Sequence, residues 1–166
     1  MNSAGWASLR VMENFVNPRL ARLDVLVGAW EVTSAIEGRV MSRARSTFRW
    51  LDAGGFLAQR TDPQTYLVPE WQGAAPEWTE TVIGLDDYSG AFTMLLADAR
   101  GVCRTYGMGF EDGRWTLTSR PGEDFHQRFE GTVAADGTTI DGRWEASPDG
   151  RTWSTDFTVG YRRLAD

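Results

Sequence analysis

From Trp30 onward the chain is punctuated by turn signals, at Ala53-Gly54-Gly55, Asp87-Tyr88-Ser89-Gly90, Ala99-Arg100-Gly101, Asp112-Gly113, Pro121-Gly122, Asp136-Gly137 and Asp149-Gly150. Apart from one longer gap they recur about every 10 to 14 residues, the rhythm of an antiparallel meander. Almost no helix is available after residue 28 to cover such a sheet, so its apolar face has to be buried against itself. Closure also removes exposed edges. The expected fold is all-β: an antiparallel up-and-down β-barrel of about eight to ten strands, with a short N-terminal helix closing one end. A β-sandwich satisfies the same pattern and stands as the alternative.

A two-residue Asp-Gly turn fixes which residues face each other across a hairpin. Around Asp136-Gly137 this pairs Phe129 with Trp144 and Val133 with Ile140 on one face, and Glu130 with Arg143 and Arg128 with Glu145 on the other. Around Asp112-Gly113 it pairs Phe110 with Trp115 and Met108 with Leu117. Each hairpin therefore has one apolar face. The turn at Ser147-Pro148-Asp149-Gly150 admits a tight or a bulged form. The tight form is preferred because it brings Asp156 near Arg143 and keeps Trp153, Phe157 and Val159 with the core.

Ahead of the strands, Asn17 is placed to cap a helix that starts at Pro18, with Leu20, Leu23 and Val27 on one face and Gly28 as its stop. Residues 1–16 form an N-terminal arm or a short helix, and 17–166 a single barrel domain. Residues 62–77 carry Pro63, Pro69, Gly73 and Pro76 and read as a long surface loop, a solvated connection being the commoner state and a lid over a cavity the other. Glu31 and Glu37 read as the outer face of the first strand.

Composition narrows the chemistry. All 17 basic residues are arginine, which excludes Schiff-base lysine chemistry and a P-loop lysine. A net charge of −6 without a basic block argues against nucleic acid and anionic membrane surfaces as partners. One histidine and one cysteine cannot build a tetrahedral zinc site from nitrogen and sulfur ligands. No metal site, cofactor or catalytic residue is assigned. There is no apolar run of the roughly 18 residues a transmembrane helix needs, and the N-terminus lacks the pattern of a signal peptide, so the expected location is the cytoplasm.

A short helix followed by Gly28-Ala29-Trp30 on the first strand, then a meander ending in Tyr161-Arg162-Arg163, resembles the calycin superfamily: the lipocalins, the fatty-acid-binding proteins and their uncharacterised lipocalin-like relatives. The resemblance implies a barrel that binds a small apolar molecule. It also implies that an arginine from the last strand covers the tryptophan of Gly-x-Trp. By alternation Arg163 shares a face with Phe157, Val159 and Tyr161 and is the residue expected on Trp30. The disulfides and signal peptide of secreted lipocalins are missing, which moves the likeness toward intracellular members.

Carrying the apolar face inward gives a wall of Trp50, Leu57, Met108, Phe110, Trp115 and Leu117, continued by Phe129, Trp144 and Phe157. Arg104 and Tyr106 alternate onto the same face, and together they can grip a carboxylate, the arginine by charge and geometry and the tyrosine by its hydroxyl; an arginine near the barrel mouth paired with a surface carboxylate is the other reading. Fatty-acid-binding proteins use a similar Arg-x-Tyr. Gln59, on the face of Trp50 and Leu57, adds a polar contact. His126 alternates with Arg128 and Glu130 onto the solvent face, which argues against haem ligation, and Cys103 faces away from the cavity.

Three functions fit these residues. The first is binding of a small, largely apolar or amphipathic molecule, with a carboxylate held by Arg104 and Tyr106. The second is an isomerase or cyclase on the same scaffold. The third is a filled barrel that works through its surface, for example as a homodimer.

Overall fold

The computed structural model describes residues 17–51, 54–120 and 126–165. The arm or helix expected over 1–16 lies outside these residues, as does the Pro121-Gly122 turn. Eleven strands follow one another: β1 (Gly28–Ile36), β2 (Arg39–Trp50), β3 (Leu57–Thr61), β4 (Thr65–Tyr66), β5 (Thr79–Leu85), β6 (Phe92–Asp98), β7 (Cys103–Glu111), β8 (Arg114–Ser119), β9 (His126–Val133), β10 (Thr139–Ser147) and β11 (Ser154–Arg163). Neighbours pair antiparallel from β5 through β11, β11 pairs β1, and β1 pairs β2. Ten strands thus close into a barrel, with β4 as an extra strand on β2.

The Asp-Gly hairpins take the expected registers. Phe129 faces Trp144 and Val133 faces Ile140, with Glu130 opposite Arg143 and Arg128 opposite Glu145. Phe110 faces Trp115 and Met108 faces Leu117. The last hairpin differs. Its register slips by one residue at the turn, where Ala146 faces Ser154, and by another at a bulge between Trp144 and Glu145, beyond which Trp144 faces Phe157. Because side chains alternate with period two, two slips cancel and Phe157 and Val159 remain inside. Trp153, before the bulge, is turned outward and lies under the Arg128 guanidinium at 4.3 Å. Arg143 faces Thr158 and not Asp156, and its nearest carboxylate is Glu145 at 3.7 Å. Glu37 likewise leaves the first strand: with Gly38 it forms the β1–β2 turn, at a φ of 48°.

The N-terminal helix is a 3₁₀ helix, Pro18–Leu26, capped by Asn17, whose side-chain oxygen accepts the Arg19 N–H at 3.0 Å. Its buried residues are Leu20, Leu23 and Leu26. That spacing of three matches three residues per turn, so Leu26 takes the inward place that an α-helical spacing gives to Val27. The three leucines join the core formed by Trp30, Phe48, Leu57, Phe110 and Ile140.

Arg163 fastens this helix to the barrel. Its guanidinium carbon sits 4.2 Å from the centre of the Trp30 ring, and its nitrogens donate to the carbonyls of Val25, Val27 and Gly137. The carbonyls at a helix end have no partner within the helix, so a cation placed there satisfies them by charge and by hydrogen bonds together. Gly28 passes beneath at a φ of 126°, where an added Cβ would stand 2.7 Å from Arg163 Nη1. The Gly-x-Trp stretch therefore needs its glycine for both conformation and space.

Residues 62–77 are not a solvated loop. They hold β4 and a short helix, α1 (Pro69–Ala74), whose Trp71 is buried against Met41, Val68 and Phe157. Because the strands run alternately, the described turns on this side, from Glu37-Gly38 to Asp149-Gly150, lie at the end of the barrel opposite the 3₁₀ helix. No helix among the described residues is long and apolar enough to cross a membrane.

Candidate functional site: the hollow end of the barrel

The two ends of the barrel are built differently. Near the 3₁₀ helix the interior is filled, with Leu23, Leu26, Trp30, Leu57 and Ile83 sealed from solvent. Toward α1 it opens into a cavity of about 450 Å³. A cavity of this size falls in the range that holds a small organic ligand.

One wall is aromatic. Trp115 stands edge-on to Phe129 at 5.0 Å, Phe129 lies 5.2 Å from Trp144, and Trp144 stacks on Phe157 at 6.3 Å and 26°. Glycines make room for this wall: a Cβ on Gly131 or Gly142 would come within 2.7 or 2.5 Å of the Phe129 ring. These two glycines face each other across β9 and β10, so the Phe129 ring lies across bare backbone.

The opposite wall, from β2, β3 and β5, is polar but largely satisfied. Gln59 is buried; its amide donates to Ser46 Oγ at 3.0 Å, and its carbonyl accepts from Thr81 at 3.3 Å. Tyr161 completes this group from β11. Burial pushes its phenol up to about 12, and a hydrogen bond from Gln59 opposes the shift in part. It lines the cavity and is only half-buried by surface area, because what it exposes faces the cavity.

Arg104 and Tyr106 come together at the same cavity, with Arg104 closer to the open end of β7. The Tyr106 hydroxyl donates to Gln127 Oε1 at 2.9 Å, which leaves the Gln127 amide nitrogen as a donor on the other side. Asp98 and Arg100 form an ion pair at 2.7 Å beside the mouth. Burial of the Asp98 carboxyl opposes its ionisation, yet Arg100 and the backbone amides of Arg100 and Val102 outweigh burial and hold it below the usual carboxylate range.

The lid is α1. Trp71 donates its indole N–H to Ser42 Oγ at 3.1 Å and meets Phe157 edge-on at 5.4 Å. Ser42 in turn donates to Gln64, whose amide donates to the carbonyl of Pro76 at 2.6 Å, so both ends of the segment are tied to β2.

Seven of the eight residues expected at a ligand site line this cavity: Gln59, Arg104, Tyr106, Trp115, Phe129, Trp144 and Phe157. Trp50 does not. It is at the helix end, where its indole donates to Asp24 at 2.8 Å. Leu57, Met108 and Phe110 also belong to the filled half, while Leu117 lines the cavity. Alternation reports which face a side chain takes, and says nothing of its height along the barrel. Trp71, Tyr161 and Gln127 were missed as lining residues: Trp71 is hidden in a proline-rich segment, whereas Tyr161 was legible as inward from its alternation with Val159 and Arg163.

His126 points out with Arg128 and packs its imidazole on Gly150 at the end of the barrel. Cys103 is exposed. Among the described residues no group of three histidine, cysteine or acidic side chains is placed to hold a metal.

No protein-family model matches this sequence, and no curated protein matches it. Among solved structures the barrel is similar to the crystal structure of Rv2717c from M. tuberculosis, at 12% identity over 91% of this chain and 100% of that one, with a TM-score of 0.59. At that identity the likeness shows a shared fold alone.

Proposed function

We propose that the protein binds a small, largely apolar molecule with an acidic group in the hollow end of its barrel. The observation that carries this reading is the cavity of about 450 Å³ between an aromatic wall and a hydrogen-bonded polar wall, at the end away from the filled core. The aromatic wall supplies the apolar contact and the polar groups orient the ligand. Arg104, near the mouth, takes the acid by charge, and Tyr106 joins it when its hydroxyl turns from Gln127 to the ligand. Kinship with the calycins is part of this proposal, supported by Gly28-Ala29-Trp30 and the Arg163 contact.

An enzyme of the proton-transfer kind needs a base beside the substrate. The carboxylates that line this cavity, Asp98 and Asp156, are near its mouth, and Asp98 is held by Arg100. Tyr161 is shifted away from neutral pH, so it acts as a hydrogen-bond donor there. Binding is the better reading on both counts.

The test is native mass spectrometry of the protein purified from its own host, followed by organic extraction. A stoichiometric apolar acid that is lost in Arg104→Ala is the expected result. An apoprotein that also binds no member of a panel of fatty and aromatic acids would overturn the reading.

A further inference from the structure

The floor of the cavity, where hollow and filled halves meet, presents hydrogen-bond donors. Tyr161 stands there between Trp30 and Trp115, with ring centres 6.3 Å from each. Beside it is Gln59, whose carbonyl accepts from Thr81 and whose amide donates to Ser46. Thr81 and Ser46 hold the Gln59 amide in place, and the Tyr161 hydroxyl, which lines the cavity, is a donor to an acceptor there. Trp115 offers a second donor. Its indole N–H is the one buried side-chain polar atom without a partner among the described residues, and Trp115 is 2% exposed. A buried donor left unmet is costly, and such groups mark places that a water or a ligand atom fills.

We infer that the ligand carries an oxygen acceptor at its inner end, a ring carbonyl of the ketone or quinone type, received by Tyr161 and Trp115, with its acid outward at Arg104. This inference rests on the reading of the cavity as a binding site and adds the class of ligand: a flat aromatic oxo-acid. The aromatic wall favours a flat ring system, and the donors at the floor reject a plain alkyl end, which would leave them unpaired.

The test is isothermal titration of the full-length chain with anthraquinone-2-carboxylate and with anthracene-2-carboxylate, which share an outline and an acid and differ in the ring carbonyls. The wild type is expected to prefer the quinone several-fold, up to about tenfold, the worth of one or two hydrogen bonds. In Tyr161→Phe that preference falls toward one while the affinity for the anthracene acid is kept. If that variant does not fold, Trp115→Phe is the substitute, and its ratio falls as well. Equal affinities in the wild type, or a ratio unchanged in the variant, overturn the inference and leave the binding reading standing. Failure of both compounds and of the fatty and aromatic acid panel to bind overturns the two together.

Discussion

The two ends of this barrel share strands, registers and alternation, yet inside one is filled and the other hollow. At the filled end a 3₁₀ helix inserts Leu20, Leu23 and Leu26, and Trp30 is sealed beneath Arg163. At the hollow end the residues on the same inward face are Trp144, Phe157 and Gln59, and they meet a cavity. The difference comes from what closes each end. The helix projects side chains into the barrel, whereas α1 lies across the mouth and inserts only Trp71. A sheet of one kind thus yields a core or a container according to the segment that covers its end.

The sharpest way to break this comparison is to truncate one tryptophan at each end. Trp30→Ala removes a sealed ring, its bond to the Leu26 carbonyl and the stacking of Arg163, and is expected to cost about 3–5 kcal/mol in urea unfolding. Trp144→Ala at the hollow end is expected to cost about 1–2 kcal/mol and to weaken binding of the aromatic acid probes. Equal losses at the two sites would mean that the hollow end is packed as tightly as the filled one.

Alkaline pH tests the floor between the ends. The Tyr161 phenol lies at about 12 in the folded chain, against an ordinary 10.0. Stability from this group is complete below pH 10, where both states are neutral. Above that the unfolded chain ionises first, so stability falls as pH rises toward 12. The loss is on the order of 2–3 kcal/mol. Unfolding curves taken from pH 9 to 12 should show this decline in the wild type and a shallower one in Tyr161→Phe. Parallel declines would place the phenol in contact with bulk water.

The aromatic wall is sharpened by Gly142→Ala. The new methyl would stand about 2.5 Å from the Phe129 ring, and the cavity is the open space into which that ring can give way. A stability loss of about 1–3 kcal/mol is expected, with weaker binding of the anthracene acid as the cavity narrows. Tighter binding would mean that the ring moves elsewhere. The smallest effect is at the rim. Asp149 accepts the N–H groups of Arg151 and Thr152 and the Ser147 hydroxyl, which lower its carboxyl to about 2. Its contribution is present above the ordinary carboxylate range and is lost as pH falls from about 4 toward 2. Asp149→Ala should flatten that acid limb slightly, and an unchanged limb would assign it to other carboxylates.

Much of the barrel was legible because short turns carry long-range information. Asp136-Gly137 sets the facing of Phe129 and Trp144, and Asp112-Gly113 that of Phe110 and Trp115, before any strand is placed. Arg163 was legible over Trp30 because the calycin resemblance implies an arginine there and alternation along β11 selects Arg163 over Arg162. What escaped depends on the third dimension. The double slip in the last hairpin preserves the facing of Phe157 while moving it along the strand, so no alternation pattern reveals it. Trp50 and Trp144 are both inward aromatics in sequence, and only their height along the barrel separates a core residue from a cavity wall. The helix α1 was hidden because Pro69 and Pro76 read as loop punctuation, while Pro69 opens a helix, and a lid stood only as the less common reading of the segment.

The Arg163 clasp also bears on how the chain is made. The arginine reaches back to the Val27 carbonyl across 136 positions, and its strand supplies the second neighbour of β1. During synthesis β1 has β2 on one side and bare backbone on the other until β11 has emerged. Seam formation is then a late, long-range event of the kind that makes folding slow. A nascent barrel of this design is exposed to wrong strand partners until its last strand is made, and the filled end, which needs both the first and the last strand of the meander, is the last part to set.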